Sequence, residues 1–415
     1  MNKYSTKIIK FINNNNFKNN NFKNTNLENN LFISKILNIC KEICNITLPK
    51  YNINHNKISK IHSVDEYPQL YEIYKNNIPN IKTFIDFIKY YSLNIHDLYD
   101  FKNDLINKNT KDRKELIDIF YNNFQSIDII QEIETHDLTH IEVQIDNIRI
   151  SLYYYDNTLD INEIISNIIK ITLLIDKIAH LYNIHPNNYN IIIFLGKNKK
   201  YLFNNTKIIT PMNINSGSTL FSSYVCLWRL EEYEKVLIHE LLHYIGIDHQ
   251  LFTDISLNNK INMIFKIVGK NHINESYNEC VASIINMCWK SIKYNININK
   301  IYDLETKFLI FQTNKIIKFF DGNKAEDLFN INIIQTTSAL SYIIIKTILF
   351  INITEILHLI NYIKIKFNNN NIILYQNLLL DLLQKKNYIQ ILNNNFNVSI
   401  DKNKFIGKTM RMSVL

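Results

Sequence analysis

The stretch Val236 to His249 reads Val-Leu-Ile-His-Glu-Leu-Leu-His-Tyr-Ile-Gly-Ile-Asp-His, and no other stretch so narrows what this chain can fold into. On a helix, histidines four residues apart rise from the same face with a single turn between them. On such a helix His239 and His243 can share one metal ion, and Glu240 leans over the same point. Leu237, Leu241, Tyr244 and Ile245 recur at helical spacing, so the helix also has an apolar face to bury. Three acids, Glu231, Glu232 and Glu234, crowd its first turn, and Gly246 stands where a helix stops. The fold must therefore bury this helix while leaving its histidines open to solvent.

With 415 residues the chain has room for two or three domains. Its net charge of +8 is spread without any block of Lys or Arg, which argues against nucleic acid as a partner. Five cysteines form an odd, sparse set, so a disulfide framework is not expected and a reducing, cytoplasmic compartment is. Cys40 and Cys44 read as buried free thiols. Met1 to Asn16 has one short apolar patch and no cleavage site, unlike a signal peptide. The most apolar later stretch, Ala339 to Ile353, is interrupted by Lys346 and falls short of the roughly 20 residues a span needs. It is read as a buried helix, and no membrane partner is expected.

Residues 1–30 are asparagine-rich and read as disordered. Residues 31–140 carry helical apolar clusters such as Leu70, Ile73 and Tyr74, then Phe84, Phe87, Ile88 and Tyr91, and are read as a helical region. His136 and His140 repeat the four-residue spacing but lack a visible third ligand, so capping or solvated roles are expected. From Ile141 the period becomes two: Ile141, Val143 and Ile145 alternate with polar residues, Asp146-Asn147 makes a turn, and Ile148 to Tyr155 alternates again. A long helix from Ile161 to Tyr182 follows. Strands are then expected at Tyr189 to Leu195, within Ile208 to Phe221, and at Tyr224 to Leu230. Residues 141–299 are thus an α+β unit, and residues 300–415 return to helix.

The order of these elements resembles a zincin catalytic domain, a small twisted sheet plus an active-site helix. The likeness implies Zn²⁺ held by His239 and His243, with Glu240 as general base. Its edge strand, within Ile208 to Phe221, would pair with an extended peptide, and Gly217 would allow a bulge or a close backbone approach.

A catalytic zinc needs a third protein ligand and an open fourth position. His249 would complete His-Glu-x-x-His-x-x-Gly-x-x-His, the metzincin pattern, although Met263 and Met287 both lie in helical segments unsuited to that family's methionine turn. Glu275, in Asn274-Glu-Ser-Tyr-Asn-Glu279, resembles instead the thermolysin-like (gluzincin) pattern, in which Glu275 binds the metal and Glu279 orients a ligand histidine. Here Glu replaces the more usual Asp, and the spacing from His243 is longer. Asn215-Ser-Gly-Ser-Thr, the run Arg229 to His243 and the run Asn274 to Ala282 together look like zinc metallopeptidases encoded by large DNA viruses. That likeness favours Glu275, with His249 as the alternative, and implies a protein or peptide substrate inside a host cell. Tyr342, His358 and His272 are candidate donors to an oxyanion. Two readings compete: a non-catalytic helical structural or adaptor protein that keeps the zincin fold, and hydrolysis of a non-peptide amide.

Overall fold

The computed structural model describes residues 3–15, 17–18, 26–48, 53–58, 127–202, 207–252, 254–368, 370–398 and 404–415. Two helices open the chain, α1 (Lys3–Asn14) and α2 (Leu31–Asn45). Helix α1 overturns part of the disorder expected for residues 1–30. Ile8 and Ile12, one turn apart, are buried, and Phe11 meets Phe311 edge-on at 4.8 Å. A stripe this narrow is enough to anchor a helix to a larger core, where tertiary packing supplies most helical stability. Helix α2 starts at Asn30, whose side chain accepts from the amides of Phe32 and Ile33.

Strand β1 (Ile53–Ile58) corrects the helical reading of residues 31–140. It joins the sheet by antiparallel pairing with β2, a long-range contact to which local periodicity is blind. The clusters around Leu70 and Phe84 lie outside the described residues. After α3 (Ile127–Thr135), β2 (Leu138–Ile145) and β3 (Ile148–Tyr154) form the hairpin, with Asp146 at φ 47° in the left-handed region that a two-residue turn requires. Helix α4 (Ile161–Leu181), capped by Asp160 on the amide of Glu163, crosses over to β4 (Tyr189–Phe194), parallel to β3.

The strand expected within Ile208 to Phe221 is shorter, because Pro211 opens a one-turn helix at Pro211–Ile214 before β5 (Gly217–Leu220). Strand β6 (Tyr224–Leu227) runs parallel to β4 and antiparallel to β5. Among the described residues, the sheet order β1-β2-β3-β4-β6-β5 therefore leaves β5 at an edge.

The remainder is mainly helical: α5 (Tyr233–Tyr244), α6 (Ile255–Ile264), α7 (Asn274–Tyr294), α8 (Ile298–Phe319), then a π-helical turn at Leu340–Ile345 leading into α9 (Lys346–Ile351), and α10 (Ile353–Ile363), α11 (Ile372–Lys385) and α12 (Asn387–Asn394). Two short strands, β7 (Ile267–Gly269) and β8 (Ile333–Gln335), pair in parallel, so residues 300–415 are not purely helical. Helix α5 packs against β5 and β6 on one side and α7 on another. No single helix among the described residues is long and apolar enough to cross a membrane, and Leu340–Ile351 meets α10 at a bend of 97°. All five cysteines are free. His136 stacks on Tyr155 and His140 on Tyr153.

The acids before and within the first turn of α5 do more than face its dipole. Glu231 accepts from the amide of Lys200, Glu232 pairs with the Lys200 ammonium at 3.0 Å, and Glu234 binds Lys290 at 2.6 Å and Lys293 at 3.0 Å. Glu232 also accepts from the amides of Met412 and Ser413, and Glu305 accepts from that of Val414. The buried segment Thr409–Leu415 is thereby strapped to the base of α5, with carboxylates satisfying the amides of Met412 to Leu415 and the Lys200 carbonyl that of Met410.

Candidate metal centre

One turn of α5 and the first turn of α7 create the site. The Nε2 atoms of His239 and His243 lie 3.1 Å apart, with the two rings at 83°. Glu275 Oε2 is 3.1 Å from the His243 nitrogen and 3.4 Å from the His239 nitrogen. Ligands about 2.0–2.2 Å from a tetrahedral zinc stand about 3.3–3.6 Å from one another, so this triangle is close to the size such an ion needs and slightly tighter on two sides. Among the described residues, this is the set of three His, Cys, Asp or Glu donors that converges.

Both imidazoles are backed by a second carboxylate. Glu279, one turn beyond Glu275 on α7, places Oε2 2.9 Å from His239 Nδ1. Its other oxygen receives the ammonium groups of Lys235 and, at 2.9 Å, Lys346, and all three side chains are fully buried. Lys346 also donates to the Met412 carbonyl at 2.7 Å, which joins the strap to the site. Asp248 lies 3.0 Å from His243 Nδ1 and itself accepts from Asn274 Nδ2 at 2.6 Å. A carboxylate behind a ligand imidazole fixes its tautomer and raises its basicity. Asp248 went unrecognised in the sequence, where it is one acid in a turn.

Asp248, Glu275 and Glu279 bring three carboxylates against the rings, and Lys235 and Lys346 bring two ammonium groups against Glu279. Ring protons and a divalent ion would compete for the same imidazole nitrogens. Burial disfavours an imidazolium at His243, yet Asp248 and Glu275 outweigh it and hold the ring's pKa well above its usual value. Burial likewise opposes the Glu279 carboxylate, but Lys235 and Lys346 prevail and keep it charged. Replacing Asp248 by alanine is expected to weaken zinc binding about 10–100-fold, the usual cost of losing such a partner, measurable by competition with a chromophoric chelator.

Glu240 lies beside this network with a partner of its own. Its Oε2 accepts from Thr219 Oγ1 at 2.7 Å, and burial raises its pKa above the ordinary carboxylate range. Gly217 makes room for it. A Cβ at position 217 would come within 2.7 Å of both Glu240 Cγ and Oε1, so the close approach expected at this glycine is that of a side chain. Arg229, buried behind the sheet, holds the lead-in to β5 through the carbonyls of Met212 and Asn215.

His249 does not join the metal group, which corrects the alternative ligand. Gly246 adopts φ +71°, but the side chain that returns to the site from this turn is Asp248, on His243 Nδ1. His249 begins a short helix, His249–Phe252, and its exposed ring stacks on Phe221 at 4.9 Å. The glycine serves Phe221 instead: a Cβ at 246 would come within 2.5 Å of that ring. Met263 is 73 % exposed, and Met287 lies in the core of α7. Tyr342 lines the cleft, His358 is exposed on α10 outside it, and His272 stacks on Phe252. The cleft encloses about 230 Å³ and opens along β5.

No protein-family profile and no solved structure matches the chain. An uncharacterized protein of Acanthamoeba polyphaga mimivirus is 25 % identical over 158 residues, which cover 34 % of this chain and 40 % of that protein. The match thus spans less than half of either.

Proposed function

We propose that this protein is a zinc-dependent peptidase of zincin type. The observation that carries the reading is the triangle of two imidazole nitrogens and one carboxylate oxygen, 3.1–3.4 Å on a side, with a separate buried glutamate beside it. A sheet whose edge strand borders the cleft, packed on the histidine helix, supports it further.

His239, His243 and Glu275 would hold the ion. When bound there, zinc supplies a Lewis acid that polarises a carbonyl and lowers the pKa of a coordinated water. Glu240 accepts the proton as the water oxygen attacks the carbonyl carbon. It then delivers that proton to the amide nitrogen as the C–N bond breaks. Thr219 keeps the Glu240 carboxylate turned toward the cleft. Asp248 and Glu279 hold the imidazoles in register.

Strand β5 has the geometry to bind the substrate main chain. The amide of Trp228 bonds the carbonyl of Ser216, and the β5–β6 register continues from that pair. Alternation along an antiparallel ladder then turns the amides and carbonyls of Gly217 and Thr219 to the free edge. An extended peptide can add there as a further strand.

Chelation offers the direct check. Stripping zinc should abolish cleavage of a mixed peptide substrate, and one equivalent of zinc should restore it. Cleavage that survives complete removal of metal refutes the proposal. A zinc-loaded protein that cleaves nothing favours the structural or adaptor role.

A further inference from the structure

We infer that Phe221, His249 and Phe252 form a subsite for a large apolar or aromatic substrate side chain on the amino side of the cleaved bond. This rests on the peptidase reading above. All three residues line the same cleft as the metal ligands. Phe221 is 49 % exposed and Phe252 54 % exposed, so neither contributes fully to the core.

Their geometry is that of a platform already built. Phe221 lies nearly flat on His249, with centroids 4.9 Å apart and planes at 19°, and Phe252 is stacked on His272 at 5.3 Å and 29°. A Cβ at Gly246 would come within 2.5 Å of the Phe221 ring, so the glycine leaves the ring its place. Rings held in this way lose little freedom when a ligand covers them, which is where binding of a flexible peptide is usually weakened. Half-exposed aromatic rings gathered at one cleft, rather than scattered singly, mark a contact surface.

Direction follows from the strand. A peptide antiparallel to β5 sets its amino-terminal part beside Leu220 and Phe221, where the strand ends, and its carboxyl-terminal part beside Ser216 and Gly217. The residue that meets the aromatic wall therefore precedes the bond held at Glu240.

The full-length zinc-loaded protein, incubated with a random peptide mixture and read by mass spectrometry of the new ends, tests this. Phe, Tyr, Trp, Leu or Met should be enriched at one position before the cut. Phe221→Ala and Phe252→Ala should each lower the ratio of kcat/KM for Phe over Ala at that position about tenfold, the usual weight of a lost aromatic contact. Zinc content and circular dichroism should stay at wild-type values. Cleavage without such a preference, or with a preference that survives both substitutions, overturns the subsite and leaves the peptidase standing. A zinc-loaded protein that cuts no peptide in the mixture overturns both.

Discussion

Replacing Glu240 by glutamine is expected to leave one zinc per chain in place while slowing peptide cleavage about 10²–10⁴-fold, the usual contribution of a positioned acid–base group. The expectation rests on a division of labour in the geometry. His239, His243 and Glu275 converge on one point, whereas Glu240 is held off that point by Thr219 and by the space over Gly217. Glutamine keeps the shape and still accepts from Thr219, so the ion's surroundings should not change. What it loses is the capacity to take a proton. Metal analysis beside turnover on a peptide mixture separates the two effects. Undiminished turnover would remove Glu240 from the mechanism, and loss of zinc would make it a ligand.

The second large effect is expected at Glu279. This carboxylate is fully buried against Lys235 and Lys346, and its other oxygen faces His239. Glu279→Ala strands two buried ammonium groups at once. Removing one partner from a buried ion pair typically costs about 3–5 kcal/mol, and no solvent reaches these groups to screen the loss. Loss of the contact to His239 should also weaken zinc binding about 10–100-fold. Urea unfolding of the metal-free protein isolates the first effect, and zinc titration of the protein that remains folded isolates the second. Glu279→Gln, which keeps an acceptor but not the charge, should fall between. Full stability in the alanine variant would mean that the two lysines find other partners.

How much of this was legible beforehand depended on how local each feature is. The pairing of His239 with His243 is set by helical spacing within a few residues and could be read directly, whereas Glu275 and Glu279 were favoured over His249 only through the likeness to viral metallopeptidases. The hairpin at Asp146-Asn147 and the long helix that follows were likewise legible from local spacing. Asp248, Thr219, Lys235 and Lys346 were not, because each acquires its role only where separate elements converge. Gly246 shows the limit of a pattern. The spacing to His249 matched a ligand motif, yet the glycine faces Phe221, and the acid one residue earlier holds His243. The asparagine-rich start misled in another way: composition pointed to disorder, while two isoleucines one turn apart sufficed to dock a helix. Strand β1 escaped notice because strand pairing, not periodicity, defines it.

X-ray absorption at the zinc edge, on purified protein with its metal content measured in parallel, bears most directly on the central claim. The geometry predicts one zinc per chain with two imidazole nitrogens and oxygen donors at about 2.0–2.2 Å, and loss of one oxygen donor's signature in Glu275→Ala. No bound zinc after reconstitution, or a spectrum with three imidazoles, would contradict it.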